Sequence, residues 1–206
     1  LRLGRSAALG AAGRAMTRWL VTGAGGQLAT AFEPLLEGEV ALHSHASLDV
    51  CDADTLRSAV HAFAPDVVLH AAAYTNVDGA EGDPGTAEAV NVGGARNVMR
   101  AVSGTHTRVV YFSSDYVFSG AKGEPYVESD GPGPLGVYGR TKLAGEAEVL
   151  RSPGGMVVRT SWLFSETGVN FAKTILGAAA AFGPLDEIER NVGQVTATSD
   201  RAQVLV

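Results

Sequence analysis

Five short apolar runs alternating with helix-like stretches constrain this chain more than any other feature. Trp19–Thr22, Glu39–His43, Val67–His70, Arg108–Phe112 and Met156–Arg159 each have the length and apolar content of a buried strand. Between and after them, Thr30–Leu36, Ala53–Phe63, Ala87–Val102 and Val137–Leu150 carry helical spacing, with Asp52 placed to cap the second of these. Gly93-Gly94 weakens the third, and Pro84 marks a turn before it. Such alternation predicts an α/β fold with a parallel, doubly wound sheet rather than a sandwich. Ligands of these sheets lie beyond the carboxyl ends of the strands. Gly23, Ala71-Ala72-Ala73, Ser114 and Ser161-Trp162 all fall at such ends.

The first strand runs straight into Gly23-Ala24-Gly25-Gly26-Gln27-Leu28-Ala29. Strand, glycine turn and helix in that order let a backbone approach a pyrophosphate, although a purely structural turn has the same spelling. The spacing Gly23-x-x-Gly26-x-x-Ala29 departs from the commoner dinucleotide fingerprint. An acid is expected about 20 residues beyond the glycines to hold a ribose 2′-hydroxyl. The chain offers His43-Ser44-His45 instead, and no Arg or Lys lies between Trp19 and Leu56. Neither NADH nor NADPH is specified outright; lack of an acid to repel a 2′-phosphate leans the reading toward NADPH. Asp49, beside Val50, can accept from an adenine amino group or serve as a plain turn acid. The three alanines 71–73 suit a flat ligand or close core packing.

Tyr138 and Lys142 stand at i and i+4 of the last predicted helix, neighbours on one face. A phenol beside an ammonium is the start of an acid–base pair, or else an ordinary surface pair. A tyrosine with an ordinary pKa of about 10 needs roughly 4 kcal/mol of help to give up its proton near neutrality. An ammonium at ~5 Å in an effective dielectric of ~20 supplies roughly 3 kcal/mol of it. Upstream, Ser113-Ser114-Asp115 closes the fourth strand, and the Gly/Pro-rich residues 119–136 form a long loop of the kind that is functional or mobile.

The balance of charge narrows the partners. A net charge of −6 with no basic run gives no support for nucleic acid or an acidic membrane surface. No apolar run approaches the ~20 residues of a bilayer span. Cys51 is the only cysteine, and the histidines (His43, His45, His61, His70, His106) show no ligand-like pairing, so no metal site is read. Residues 1–15, with Arg2, Arg5 and Arg14 and no acid, have the composition of a transit peptide. We read them as an extension or translated leader ahead of Met16-Thr17-Arg18, and the cytoplasm is the default location.

Taken together, these residues resemble the extended short-chain dehydrogenase/reductases, and specifically the dTDP-4-dehydrorhamnose reductase family. The resemblance rests on Val21–Leu28, on Ala71–Thr75 with Val77-Asp78 and Ala80-Glu81, and on Asp115–Phe118. Tyr138–Glu146 and Val158–Trp162 complete it, in order, over about residues 17–176. It implies a Rossmann-like NAD(P)-binding domain over 16–160 and, in 161–206, an incomplete substrate-binding portion. It implies NADPH- or NADH-dependent reduction of the 4-keto group of a dTDP-linked 6-deoxyhexulose. Tyr138 would then be the proton donor, with Lys142 lowering its pKa and holding ribose hydroxyls. Ser114 would hydrogen-bond the same substrate oxygen. Gly23, Gly26, Gln27, Leu28, Asp49, Val50, Ala71, Ala72, Ala73, Tyr138 and Lys142 would hold the cofactor. Ser114, Asp115, Trp162 and Asn170 would meet the substrate, Trp162 packing on the sugar unless it is a core residue. Ala29 replaces a third glycine, and Val195 an expected proline. A homodimer is common in the family. The other readings are a non-catalytic cofactor-binding regulatory or scaffold subunit, and an epimerase or dehydratase of the same fold.

Overall fold

A computed structural model of the chain describes residues 16–161, 163–165, 170, 173–174, 176–177 and 196–197. Five strands form one parallel sheet: β1 (Arg18–Thr22), β2 (Glu39–His43), β3 (Val67–His70), β4 (Arg108–Ser114) and β5 (Gly155–Thr160). Their spatial order is β2-β1-β3-β4-β5. The order of strands therefore reverses between β1 and β3, the switch point where doubly wound sheets open a crevice. Register pairs Thr22 with both His43 and His70, and Ser114 with Thr160. These residues line one edge. The fold class read from the sequence is the one observed.

Successive strand residues point to opposite faces, so a sheet covered on both sides needs apolar residues without alternation. Leu20, Val68 and Val109 pack on one face with Leu56, Val60, Val98 and Ala101. The last four come from α2 (Ala53–Phe63) and α5 (Gly94–Ala101). Their neighbours Val21, Leu69 and Val110 face the other way, onto Leu28, Ala29 and Phe32 of α1 (Gln27–Phe32). Tyr111 packs with Ala95 and with Val149 of α6 (Val137–Leu150). The sheet thus has α2, α5 and α6 on one face and α1 on the other.

Two helices differ from their sequence reading. The first begins at Gln27, not Thr30, because the Thr30 amide already bonds the Gly26 carbonyl at 3.0 Å; a 3₁₀ turn, Glu33–Leu35, follows it. The predicted helix 87–102 is three pieces. Pro84 opens α4 (Pro84–Glu88) at its first position, where a missing N–H costs nothing, with Asp83 accepting from the Thr86 amide. A π turn, Ala89–Gly93, then joins it to α5. Ahead of them lies α3 (Val77–Gly82), capped by Asn76. A 3₁₀ turn, Asp115–Val117, follows β4, and two short strands, β6 (Leu163–Phe164) and β7 (Thr196–Ala197), pair with each other in parallel. Asp52 caps α2 as expected, accepting from Asp54 and Thr55. No helix among the described residues is long and apolar enough to cross a membrane.

Leu56 is fully buried between α2 and the sheet. Leu56→Ala should lower unfolding stability by about 2–5 kcal/mol, read from the urea midpoint at unchanged slope.

Candidate active site

The edge formed by the strand ends is built from close backbone approaches. Gly23 takes φ +77°, and a Cβ there would stand 2.6 Å from the Ala72 nitrogen, so the turn after β1 meets the 71–73 segment backbone to backbone. The Ala24 amide bonds the His43 carbonyl at 2.9 Å, which fastens the glycine turn to the end of β2. Val50 is buried with its carbonyl held by Asn97 at 3.0 Å, and Asp49 accepts from the Cys51 amide at 2.9 Å. A bare glycine turn, small residues at 71–73 and a buried apolar Val50 suit a dinucleotide lying across the switch point.

Helix α6 brings the reactive groups to this edge. Its first amide, Val137 N–H, donates to Glu81 Oε1 of α3 at 2.6 Å, where the positive end of the helix favours a carboxylate. Gly139 and Gly145 let it lie against its neighbours. A Cβ on Gly139 would run into the Tyr116 carbonyl oxygen, and one on Gly145 into the Tyr111 hydroxyl and the Asn91 carbonyl. The Tyr138 ring therefore packs edge-on against Tyr116, with centroids 5.6 Å apart.

The structure brings Ser114 and Tyr138 together: the Ser114 hydroxyl lies close enough to the Tyr138 phenol to pull its pKa down. The Ser114 hydroxyl also donates to Asp115 Oδ1 at 3.1 Å and accepts from the Tyr116 amide at 3.2 Å. Burial holds the Asp115 carboxyl above the usual range, against hydrogen bonds from Ser114 and Ser161. The Tyr138 phenol is pushed up to about 12, chiefly by burial; the Ser114 hydrogen bond opposes this, and Asp115 and Tyr116 add to it.

Lys142 does not offset that rise as the charge estimate predicts. Its side chain is buried, with Nζ 4.1 Å over the Tyr111 ring, and burial pulls it down to about 7 while Glu146 pulls the other way. An ammonium stripped of water cannot also act as a full charge on its neighbour. His70 is buried too, with Nδ1 2.8 Å from Thr22 Oγ1 and Nε2 without a hydrogen-bond partner. Burial, then repulsion from Lys142, pulls it down to about 3, so it is neutral.

Other expected residues lie further out. Asn170 has both ends of its amide engaged: Nδ2 donates to the Ser165 carbonyl at 2.9 Å and Oδ1 accepts from Lys173 N–H at 3.1 Å. Ser165 Oγ in turn donates to Gln27 at 3.1 Å, so this segment meets the glycine turn. Trp162 and residues 1–15 lie outside the described residues. No group of three or more His, Cys, Asp or Glu side chains suited to a metal ion occurs among the described residues.

Asn91 is a residue the sequence reading missed. From the π turn it accepts from Tyr74 N–H at 2.9 Å, and its Nδ2 donates to the Tyr74 carbonyl at 3.2 Å and to Thr141 Oγ1 at 3.0 Å. It ties the 71–74 segment to α6. A polar amide in the otherwise apolar run Ala89–Val92, next to Gly93-Gly94, is the signal that marks it.

Two outcomes follow from this packing. Gly139→Ala should cost about 1–3 kcal/mol by overpacking and weaken the Ser114–Tyr138 contact, seen as a lower urea midpoint with an altered near-ultraviolet tyrosine signal. For Lys142, an unfolded side chain titrates near 10.5 and the folded one near 7. The unfolded chain then binds more protons between those values, and stability rises with pH across that window. Lys142→Met should raise the urea midpoint most below about pH 7, with the gain shrinking toward pH 10.5.

Comparison with known proteins agrees with this geometry. The family profile described as the RmlD substrate binding domain matches residues 17–206. The chain is 39% identical over 196 residues to a dTDP-4-dehydrorhamnose reductase of Aggregatibacter actinomycetemcomitans, covering 93% of this chain and 67% of that protein. The crystal structure of a dTDP-4-dehydrorhamnose reductase from Clostridium acetobutylicum superposes with a TM-score of 0.87 at 34% identity, over 92% of this chain and 69% of that one. That of the Bacillus anthracis dTDP-4-dehydrorhamnose reductase, in complex with NADP, gives 0.85 at 33% identity, over 94% and 71%. The chain spans about two thirds of the length of the curated relatives it matches.

Proposed function

The chain belongs to the RmlD substrate-binding-domain family of dTDP-4-dehydrorhamnose reductases, and from that premise we propose that it reduces the 4-keto group of a dTDP-4-dehydro-6-deoxyhexose with NADPH or NADH. One observation carries the reading. Ser114 ends β4 at the carboxyl edge of the sheet close enough to the Tyr138 phenol to act on its proton, with Lys142 one helical turn along. A regulatory or scaffold subunit has no need of that pair.

Gly23, Gly26, Gln27, Leu28, Asp49, Val50 and Ala71–Ala73 would hold the dinucleotide, with Tyr138 and Lys142 beside its nicotinamide end. When bound, the reduced nicotinamide supplies a hydride to the carbonyl carbon. The chain's own groups then manage the oxygen, on which negative charge develops. Tyr138 gives its phenolic proton to that oxygen. A phenol raised to about 12 is fully protonated at neutrality, the state a donor requires. Ser114 turns its hydroxyl from Asp115 toward the same oxygen and hydrogen-bonds it as charge builds. Lys142 stabilises the phenolate left behind, a charge present only after the proton has moved. Asp115, Trp162 and Asn170 would meet the sugar.

Hydride transfer to the dTDP-4-keto sugar is the direct assay, followed by loss of reduced-nicotinamide absorbance. Tyr138→Phe should lower kcat by ~10²–10⁴ with cofactor binding retained. Turnover no higher than that of Tyr138→Phe would overturn the proposal, and so would product formed with no net consumption of cofactor, the behaviour of an epimerase.

A further inference from the structure

Lys142 and Glu146 lie one turn apart on α6, and each is 2% exposed. Two opposite charges so buried are seldom left to each other, and Glu146 has a second partner. Arg159 of β5 clasps it with both nitrogens, Nε to Oε1 at 2.9 Å and Nη2 to Oε2 at 2.7 Å. The guanidinium is itself partly exposed and lies 4.9 Å over the Phe118 ring, just beyond the turn after Ser114. One arginine thus touches the catalytic helix, the fifth strand and the segment that follows Ser114.

We propose that Glu146, clasped by Arg159, is a positioning residue that holds the buried Lys142 side chain in its cationic form beside Tyr138. The proposal rests on the reductase reading above and deepens it. Neutralisation is the easy outcome for a lysine cut off from water. The groups packed around it offer little else to oppose that outcome. His70 on β3 is neutral, and Tyr111 on β4 keeps its proton because burial raises it. Tyr138 and Tyr116 are likewise raised, and the Asp115 carboxyl is occupied by Ser114 and Ser161. Glu81 of α3 is engaged at the helix start, Glu88 at the end of α4 is exposed, and Arg96 of α5 pairs with Glu148. Glu146 is the anion acting on Lys142. Arg159 clasps that carboxylate and so competes with Lys142 for its charge.

Two substitutions that break the same ion pair therefore act in opposite directions. Glu146→Gln removes the anion and leaves Arg159, so Lys142 should lose its proton at lower pH. Arg159→Gln frees the whole carboxylate for Lys142, which should keep its proton to higher pH. Each shift should be at least about one pH unit. The chain holds three lysines, Lys122, Lys142 and Lys173, so the Lys142 ¹³Cε resonance can be followed directly by NMR titration of each variant. This readout needs no turnover, so it stands even where the reductase assay fails. In an active enzyme, the alkaline limb of the kcat profile should move down for Glu146→Gln and up for Arg159→Gln. A purely structural clasp would lower stability in both and move neither titration. Should Glu146→Gln unfold, the double variant Glu146→Gln/Arg159→Gln leaves no unpaired guanidinium, and its Lys142 should still titrate below wild type. Shifts of the same sign in the two single variants, no shift in either, or an unshifted double variant would overturn the proposal.

Discussion

Everything at the site depends on how closely α6 can lie against the end of β4. Helices normally keep their neighbours at side-chain distance, about 8–10 Å between axes. Here two glycines, Gly139 and Gly145, remove the side chains that would hold the helix off. The first lets the helix backbone meet the Tyr116 carbonyl, and the second admits the Tyr111 hydroxyl and the Asn91 carbonyl. Glu81 fixes the start of the helix, Asn91 its first turns through Thr141, and Arg159 its middle through Glu146. With these contacts made, the hydroxyls of Ser114 and Tyr138, from elements more than twenty residues apart in sequence, reach one another.

The same packing sets the charges. Burial acts on all of Tyr138, Lys142, His70 and Tyr111 toward the neutral form. For the proposed proton donor this is useful: Tyr138 would hold its proton until a developing oxyanion draws it away. For Lys142 it is a cost, since a neutral amine stabilises a phenolate poorly. The buried carboxylate of Glu146, clasped by the partly exposed Arg159, would offset that cost. A site that must gain and lose charge within one turnover is thus kept nearly neutral at rest, with its counter-charge one helical turn away.

Much of this was legible in the chain. The strand runs, the cap at Asp52 and the helix at 137–150 stand where their residue patterns put them, because each is specified by local periodicity and turn chemistry. The places of Ser114 and the glycine turn were legible because strand ends in a doubly wound sheet converge, and that of Tyr138 because it opens a helix marked by its own spacing. Pro84 misled, since the same residue breaks a helix from within and starts one from its first turn. The electrostatics of Lys142 were misjudged because its burial depends on Tyr111 and His70, brought beside it only by the fold. Asn91 escaped notice likewise, and Glu81 was read only as part of a motif. Each acts across dozens of residues, and nothing in its own neighbourhood announces a partner.

The central claim is geometric: Ser114 and Tyr138 address one oxygen atom beside a nicotinamide. A crystal structure of this chain with the reduced cofactor and the dTDP-4-keto sugar tests it most directly. The account predicts that Ser114 Oγ and the Tyr138 hydroxyl both lie within about 3 Å of the sugar's keto oxygen, as hydrogen bonds require. A keto oxygen bonded to neither hydroxyl, or a nicotinamide seated away from the edge where β1, β3 and β4 end, would contradict it.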